Sequence, residues 1–159
     1  MSIMSVGRAG AKDIESVLYV INTSNSDAYG SIIPPEQFKD PILTIEQLHQ
    51  EFENMIFYAY KFGNKPIGVA ALRVDGRKTG TVRWVHVLPE HRRKGVGTSL
   101  MRNIESEAKK MGLKKLRVAY VWEKAYWAKN FYTKLGYEKK STVSLPWGDQ
   151  AHVYEKTFL

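Results

Sequence analysis

The sequence predicts a mixed α/β fold of the α+β kind, with helices on both faces of a mixed sheet and the order β-α-α-β-β-β-α-β-α-β-β. Three observations carry this. Runs rich in β-branched and aromatic residues, Met55 to Phe62, Pro66 to Val74 and Gly80 to Val87, are separated by the turn sequences Gly63-Asn64-Lys65 and Asp75-Gly76-Arg77-Lys78. A helical stripe follows at Val96, Leu100, Ile104, Ala108 and Met111, closed by Gly112. Another strand, Leu116 to Trp122, then leads to a helix marked by Ala128, Phe131, Tyr132 and Leu135 and stopped by Gly136. A three-strand meander feeding a strand–helix–strand–helix unit makes a mixed sheet.

The two ends are read in the same way. Ser2 to Val6 is a short first strand. Asp13 can cap a helix whose apolar face is Ile14, Val17, Leu18 and Ile21. The polar stretch Asn22 to Asp40, with Gly30, Pro34 and Pro35, is expected as a loop or broken helix. Thr44-Ile45-Glu46-Gln47 has the form of a capping box and starts a helix ending near Asn54. Thr142 to Leu145 and His152 to Leu159 are expected to form a terminal hairpin. No repeat, low-complexity tract or linker interrupts the chain, so residues 1–159 are expected to form one domain.

Composition narrows the function classes. The hydrophobic content of 43% is ample for one core. No run of about 18 apolar residues occurs, so no membrane partner is expected. The stretch Val17 to Ile21, preceded by Asp13 and Glu15, is too short and too acidic in its flank for a signal-peptide core, and a cytoplasmic protein is expected. The absence of cysteine excludes disulfides, thiolate metal sites and a cysteine nucleophile, and no metal site is expected. A net charge of +8 favours anionic partners. Lys and Arg come in scattered pairs, most of them read as solvated surface charge.

The chemistry concentrates in Val85-His86-Val87-Leu88-Pro89-Glu90-His91-Arg92-Arg93-Lys94-Gly95-Val96-Gly97-Thr98, which runs from a strand directly into a helix N-terminus. There several backbone N–H groups lack helical partners, and the dipole adds roughly half a positive charge. Gly95 and Gly97 have no side chain to hold a ligand off those amides, and Arg92, Arg93 and Lys94 add cationic charge. This combination suits a pyrophosphate. A Gly-x-x-x-x-Gly-Lys-Ser/Thr loop is absent. A Gly-x-Gly-x-x-Gly fingerprint also fails, because Leu100 stands where the third glycine would fall.

Arg92-Arg93-Lys94-Gly95-Val96-Gly97 matches the pattern Arg/Gln-x-x-Gly-x-Gly/Ala. Ala128-Lys129-Asn130-Phe131-Tyr132-Thr133-Lys134-Leu135-Gly136-Tyr137 matches Ala-x-x-Phe/Leu-Tyr-x-x-Leu-Gly-Phe/Tyr. With the Val-x-Val-x-Pro lead-in and the ending Val153-Tyr154-Glu155-Lys156, the chain resembles the Gcn5-related N-acetyltransferase (GNAT) family. Tyr29-Gly30-Ser31-Ile32-Ile33-Pro34 is similar to a segment of members that act on small or peptide amines. The resemblance implies a mostly antiparallel sheet of six to seven strands and acetyl-CoA or coenzyme A as cofactor. It also implies direct attack of a primary amine in a ternary complex, the acceptor being a small-molecule or peptide amine.

The resemblance further implies a cofactor gap between the fourth and fifth strands. Val85, His86 and Val87 would bond the pantetheine arm, and Arg92, Arg93, Lys94, Gly95, Val96, Gly97 and Thr98 would surround the pyrophosphate. The amide near Val87 would face the thioester oxygen. Tyr132 falls where members place a cofactor-touching acid for the departing thiol, whose pKa is about 8.5. The general base stays open among His86, Glu123 and a water chain. Many members carry Glu early in the fourth strand, where this chain has Thr81-Val82-Arg83, and Asn seven residues before the Tyr, where it has Ala125. Tyr120, Trp122, Tyr126, Trp127 and Trp147 are an aromatic concentration that suits either an acceptor pocket or the core.

Two other readings stay open at this point. One is a coenzyme A-binding domain without catalysis. The other, a basic nucleic-acid-binding module, is disfavoured because it gives no reason for the two sequence blocks to occur together in this order. A homodimer is the commonest assembly for soluble oligomers.

Overall fold

The structure is a computed structural model that describes residues 3–158. The elements are β1 (Met4–Arg8), α1 (Ile14–Tyr29), α2 (Ile45–Asn54), β2 (Ile56–Phe62), β3 (Lys65–Val74), β4 (Thr79–Val87), α3 (Val96–Lys110), β5 (Lys115–Trp122), α4 (Tyr126–Lys134), β6 (Glu138–Ser144) and β7 (Gln150–Thr157). Short 3-10 turns at Ala11–Asp13 and Pro89–His91 lead towards α1 and α3. The strands form one seven-stranded sheet in the order β1-β2-β3-β4-β5-β7-β6. All neighbours are antiparallel except β4 and β5, which α3 joins as a parallel crossover. Ser2 and Leu159, the outer ends of two expected strands, lie outside the described residues.

Three expectations are corrected. Helix α1 continues unbroken to Tyr29, through the first part of the stretch expected as a loop or broken helix. Its polar residues have partners there: Asn22 Nδ2 donates to Leu43 O, and Leu43 N–H donates to Asn22 Oδ1, both at 3.0 Å. The Asp13 side chain does not cap α1; it accepts the Gly10 N–H at 3.0 Å and pairs with Lys61 at 3.0 Å. Strand β6 begins at Glu138 and not at Thr142, and every residue in it is exposed. An edge strand of Glu, Lys, Ser and Thr carries no apolar alternation by which to find it, and its lysines blunt the free edge. The Thr44–Gln47 capping box forms as expected, with Gln47 N–H to Thr44 Oγ1 at 3.2 Å and Thr44 N–H to Gln47 Oε1 at 2.8 Å.

Helix α1 packs on β3 and β4, with α2 beside it, and α3 covers the opposite face. Consecutive residues of β4 report the two sides, since neighbours on a strand point opposite ways. His86 reaches Ser24 of α1, whereas Val87 lies on the Gly97 side with α3. A Cβ on Gly68 of β3 would fall 2.6 Å from Val96 Cγ1 and 3.1 Å from Leu100 Cδ1, so glycine lets α3 close on the sheet. Val17, Ile21, Leu48, Leu72, Leu100, Ile104 and Leu116 are fully buried between these layers. They supply the apolar burial that drives folding.

The parallel pair is short. Strands β4 and β5 pair only from Thr79 opposite Lys115 to Val82 opposite Val118. Just beyond, Trp84 and Tyr120 adopt left-handed backbone with φ of 58° and 57°. The strands part there and leave the β4 edge from Arg83 onward without a partner on the β5 side. No helix among the described residues is long and apolar enough to cross a membrane.

Candidate functional site

The parted strands open into a cleft of about 800 Å³ that residues of α1, β4, the following loop, α3 and α4 line. Of the residues expected around a cofactor, Val85, His86, Val87, Arg92, Arg93, Gly95, Val96, Gly97, Thr98 and Tyr132 all line it. Lys94 is exposed and outside the lining.

At the floor, Gly95 takes the N-cap position of α3 with φ 80°, and no side chain caps the helix. Ser99 N–H reaches Gly95 O at 3.0 Å, the first bond of the helical ladder. The N–H groups of Val96, Gly97 and Thr98 precede that ladder and are left for a ligand. Gly97 has a second reason to be glycine, since a Cβ there would meet the Phe131 ring at 3.2 Å. It lets α4 close on α3.

The three cations of the loop divide. Arg92 turns to α1: one guanidinium nitrogen donates to Asp27 Oδ2, the other to Ser24 O at 3.3 Å and Ser24 Oγ at 3.1 Å. Arg93, at φ 63°, and Lys94 have no ion-pair partner among the described residues. They are the cations left free for an anion.

On the α1 side of β4, His86 Nδ1 lies 3.0 Å from Ser24 Oγ. Burial, with the Arg92 charge second, lowers its pKa to about 4, so the ring is neutral at working pH. Tyr132, only 6% exposed, faces the cleft from α4, and burial pushes its phenol well above the ordinary value. It stays protonated.

Residues 18–137 match the acetyltransferase (GNAT) family. The chain belongs to that family. No curated protein matches it in sequence. Among solved structures it is similar to a PaiA N-acetyltransferase from Thermoplasma acidophilum in complex with coenzyme A, at 19% identity and TM-score 0.77, covering 98% of this chain and 99% of that one. A ribosomal-protein-alanine N-acetyltransferase from Brucella melitensis is similar at 18% identity and TM-score 0.77, covering 97% and 99%. A GCN5-related N-acetyltransferase from Kribbella flavida is similar at 19% identity and TM-score 0.77, covering 98% of each chain. At these identities the likeness shows the GNAT fold.

Within that GNAT frame, the remaining sequence candidates scatter. Glu123 is not in the cleft lining. It holds Lys129 Nζ at 2.8 Å and contacts His152 Nε2. The Lys129 hydrogen bond, with that to His152, lowers its carboxyl to about 2, a poor proton acceptor. The aromatic concentration splits as well. Trp127 meets Tyr29 in the cleft at a ring distance of 5.7 Å, while Trp122 stacks on Trp147 at 5.8 Å outside it. Tyr120 and Tyr126 are exposed. Sequence reading missed Ser24, because it sits on the part of α1 expected as a loop or broken helix.

Proposed function

We propose that this GNAT chain transfers the acetyl group of acetyl-CoA to a primary amine by direct attack in a ternary complex. The observation that carries this reading is the parting of β4 and β5 above the uncapped start of α3. The residues fit coenzyme A. A free strand edge at Val85, His86 and Val87 suits the amide-bearing pantetheine arm. The amides of Val96, Gly97 and Thr98, with Arg93 and Lys94, suit its pyrophosphate. The coenzyme A complex of the Thermoplasma acidophilum relative supports the same ligand.

Bound acetyl-CoA would supply the acetyl group as a reactive thioester. The Val87 amide would donate to the thioester carbonyl oxygen. Tyr132, held as a phenol, would give its proton to the coenzyme A sulfur as the carbon–sulfur bond breaks. Neither His86, with a pKa of about 4, nor Glu123, at about 2, competes for the proton of an amine whose pKa is about 10.4. The acceptor would lose its ammonium proton to water before attack, and the second proton, shed as the carbon–nitrogen bond forms, would return through water to the Tyr132 oxygen. Tyr29, Trp127 and Asp27 wall the acceptor side, and the acceptor is a small-molecule or peptide amine. One domain over residues 1–159, a cytoplasmic location and a homodimer belong to the same proposal.

The test is release of free thiol from acetyl-CoA against a panel of amines: a polyamine, free lysine, a peptide with a free N-terminus and simple alkylamines. Amine-dependent thiol release by at least one class is expected. Thiol release from none of them, by protein that binds coenzyme A, would leave a coenzyme A-binding domain without catalysis.

A further inference from the structure

We infer that neutral His86 presents its Nε2–H to the cleft, as a hydrogen-bond donor to a carbonyl oxygen of one of the reacting partners. The ownership of that oxygen rests on the acetyltransferase reading; the donor itself rests on counting hydrogen bonds. A guanidinium has donors only. Arg92 donates to Ser24 Oγ at 3.1 Å, so that oxygen is already an acceptor and its own proton needs a partner. Ser24 is 3% exposed, and the acceptor in reach among the described residues is His86 Nδ1, at 3.0 Å. If Nδ1 carried the proton, the Ser24 hydroxyl would be a buried donor with nothing to meet, which is penalised.

Electrostatics points the same way. An imidazole turns its lone pair towards a cation and its N–H away, and Arg92 stands behind Ser24 on the Nδ1 side, anchored by Asp27. Burial, with the same guanidinium second, holds the ring neutral, so its single proton sits on Nε2. No atom of the described residues bonds Nε2, and His86 lines the cleft. A nitrogen that already bears a proton is not the base for the amine. It is a neutral electrophile, of the kind that polarises a carbonyl or stabilises charge on its oxygen. Ser24 is the positioning residue that sets the tautomer.

Long-range proton–nitrogen correlation NMR on isotope-labelled full chain reads this directly, without any ligand. An Nε2–H pattern for His86 at neutral pH is expected; an Nδ1–H pattern or an imidazolium overturns the inference. Ser24→Ala should produce a mixture of tautomers, and Ser24→Thr should restore the single one. An unchanged tautomer in Ser24→Ala overturns the role of Ser24. If the acetyl oxygen is the recipient, acetyl-CoA moves the Nε2–H resonance and coenzyme A does not. If an acceptor oxygen is the recipient, glycinamide moves it and ethylamine does not. No movement with any of the four overturns donation into the cleft. Failure of coenzyme A to bind would sink the acetyltransferase reading while leaving the ligand-free tautomer as a separate result.

Discussion

Trp84 and Tyr120 stand two residues past Val82 and Val118, the last paired positions of β4 and β5, and both take left-handed backbone with φ near 58° and 57°. Each coincides with a shift in the ladder on its strand's other side: β3 to β4 between Val69 and Ala71, and β5 to β7 between Val118 and Val121. The sheet thus stays closed on both flanks while it opens in the middle. Left-handed backbone at non-glycine residues costs of order 1–3 kcal/mol each, and here that cost falls where the cleft begins.

Tyr120 therefore reverses the usual effect of glycine in a strand. Its side chain is exposed, so Tyr120→Gly loses little packing and relieves the left-handed strain. Chemical denaturation should find the variant as stable as the parent or more so, within about 1 kcal/mol. A loss clearly larger than that would mean the bend is held by the tyrosine side chain.

Tyr132→Phe keeps the buried ring and removes only the hydroxyl. Turnover should fall about 100-fold, with coenzyme A affinity within about twofold of the parent. Steady-state rates paired with direct binding measurements separate the two, and equal losses in both would make the hydroxyl a binding group.

Arg92 and Arg93 are neighbours in sequence with different work. Arg92 ties the loop to Ser24 and Asp27 on α1, so Arg92→Ala should lower the Tm of the ligand-free protein. Arg93→Ala should leave that Tm unchanged and weaken coenzyme A binding by about three- to tenfold, less so at high salt. Calorimetry at two salt concentrations checks both.

The order of elements and the loop from Val85 to Thr98 were legible because they are written in period and punctuation: turn sequences, a helical stripe and two glycines at a helix start. The stretch of α1 that carries Ser24 was not. It runs through Asn22–Ser26, and a polar helical turn whose partners lie across the fold looks like loop when read locally. The separation of Glu123 from the cleft was hidden for a related reason. Its partners Lys129 and His152 are 6 and 29 residues away, and no local pattern announces that they converge. Gly97 was found for its closeness to a ligand; its contact with Phe131 needed the packing of α4.

Glu123 gives a pH prediction of definite sign. Hydrogen bonds to Lys129 and His152 lower its pKa from 4.5 to about 2, so these contacts stabilise the fold above pH 4.5 and fade as pH falls towards about 2. The side chain is 46% exposed, and solvent screening keeps the effect small. Glu123→Gln should lower the Tm at neutral pH, by an amount that shrinks through that acidic window, and should still turn over. Loss of turnover with an unchanged Tm would return Glu123 to the chemistry.

The claim on which the rest depends is that the opening between β4 and β5 holds coenzyme A. A thermal-shift titration with acetyl-CoA, coenzyme A and ATP tests it most directly, because a ligand of the native state raises the midpoint by mass action. A rise of several degrees is expected with both coenzyme A forms, little with ATP, and a reduced rise in Arg93→Ala. No rise with either form at concentrations well above micromolar would contradict it.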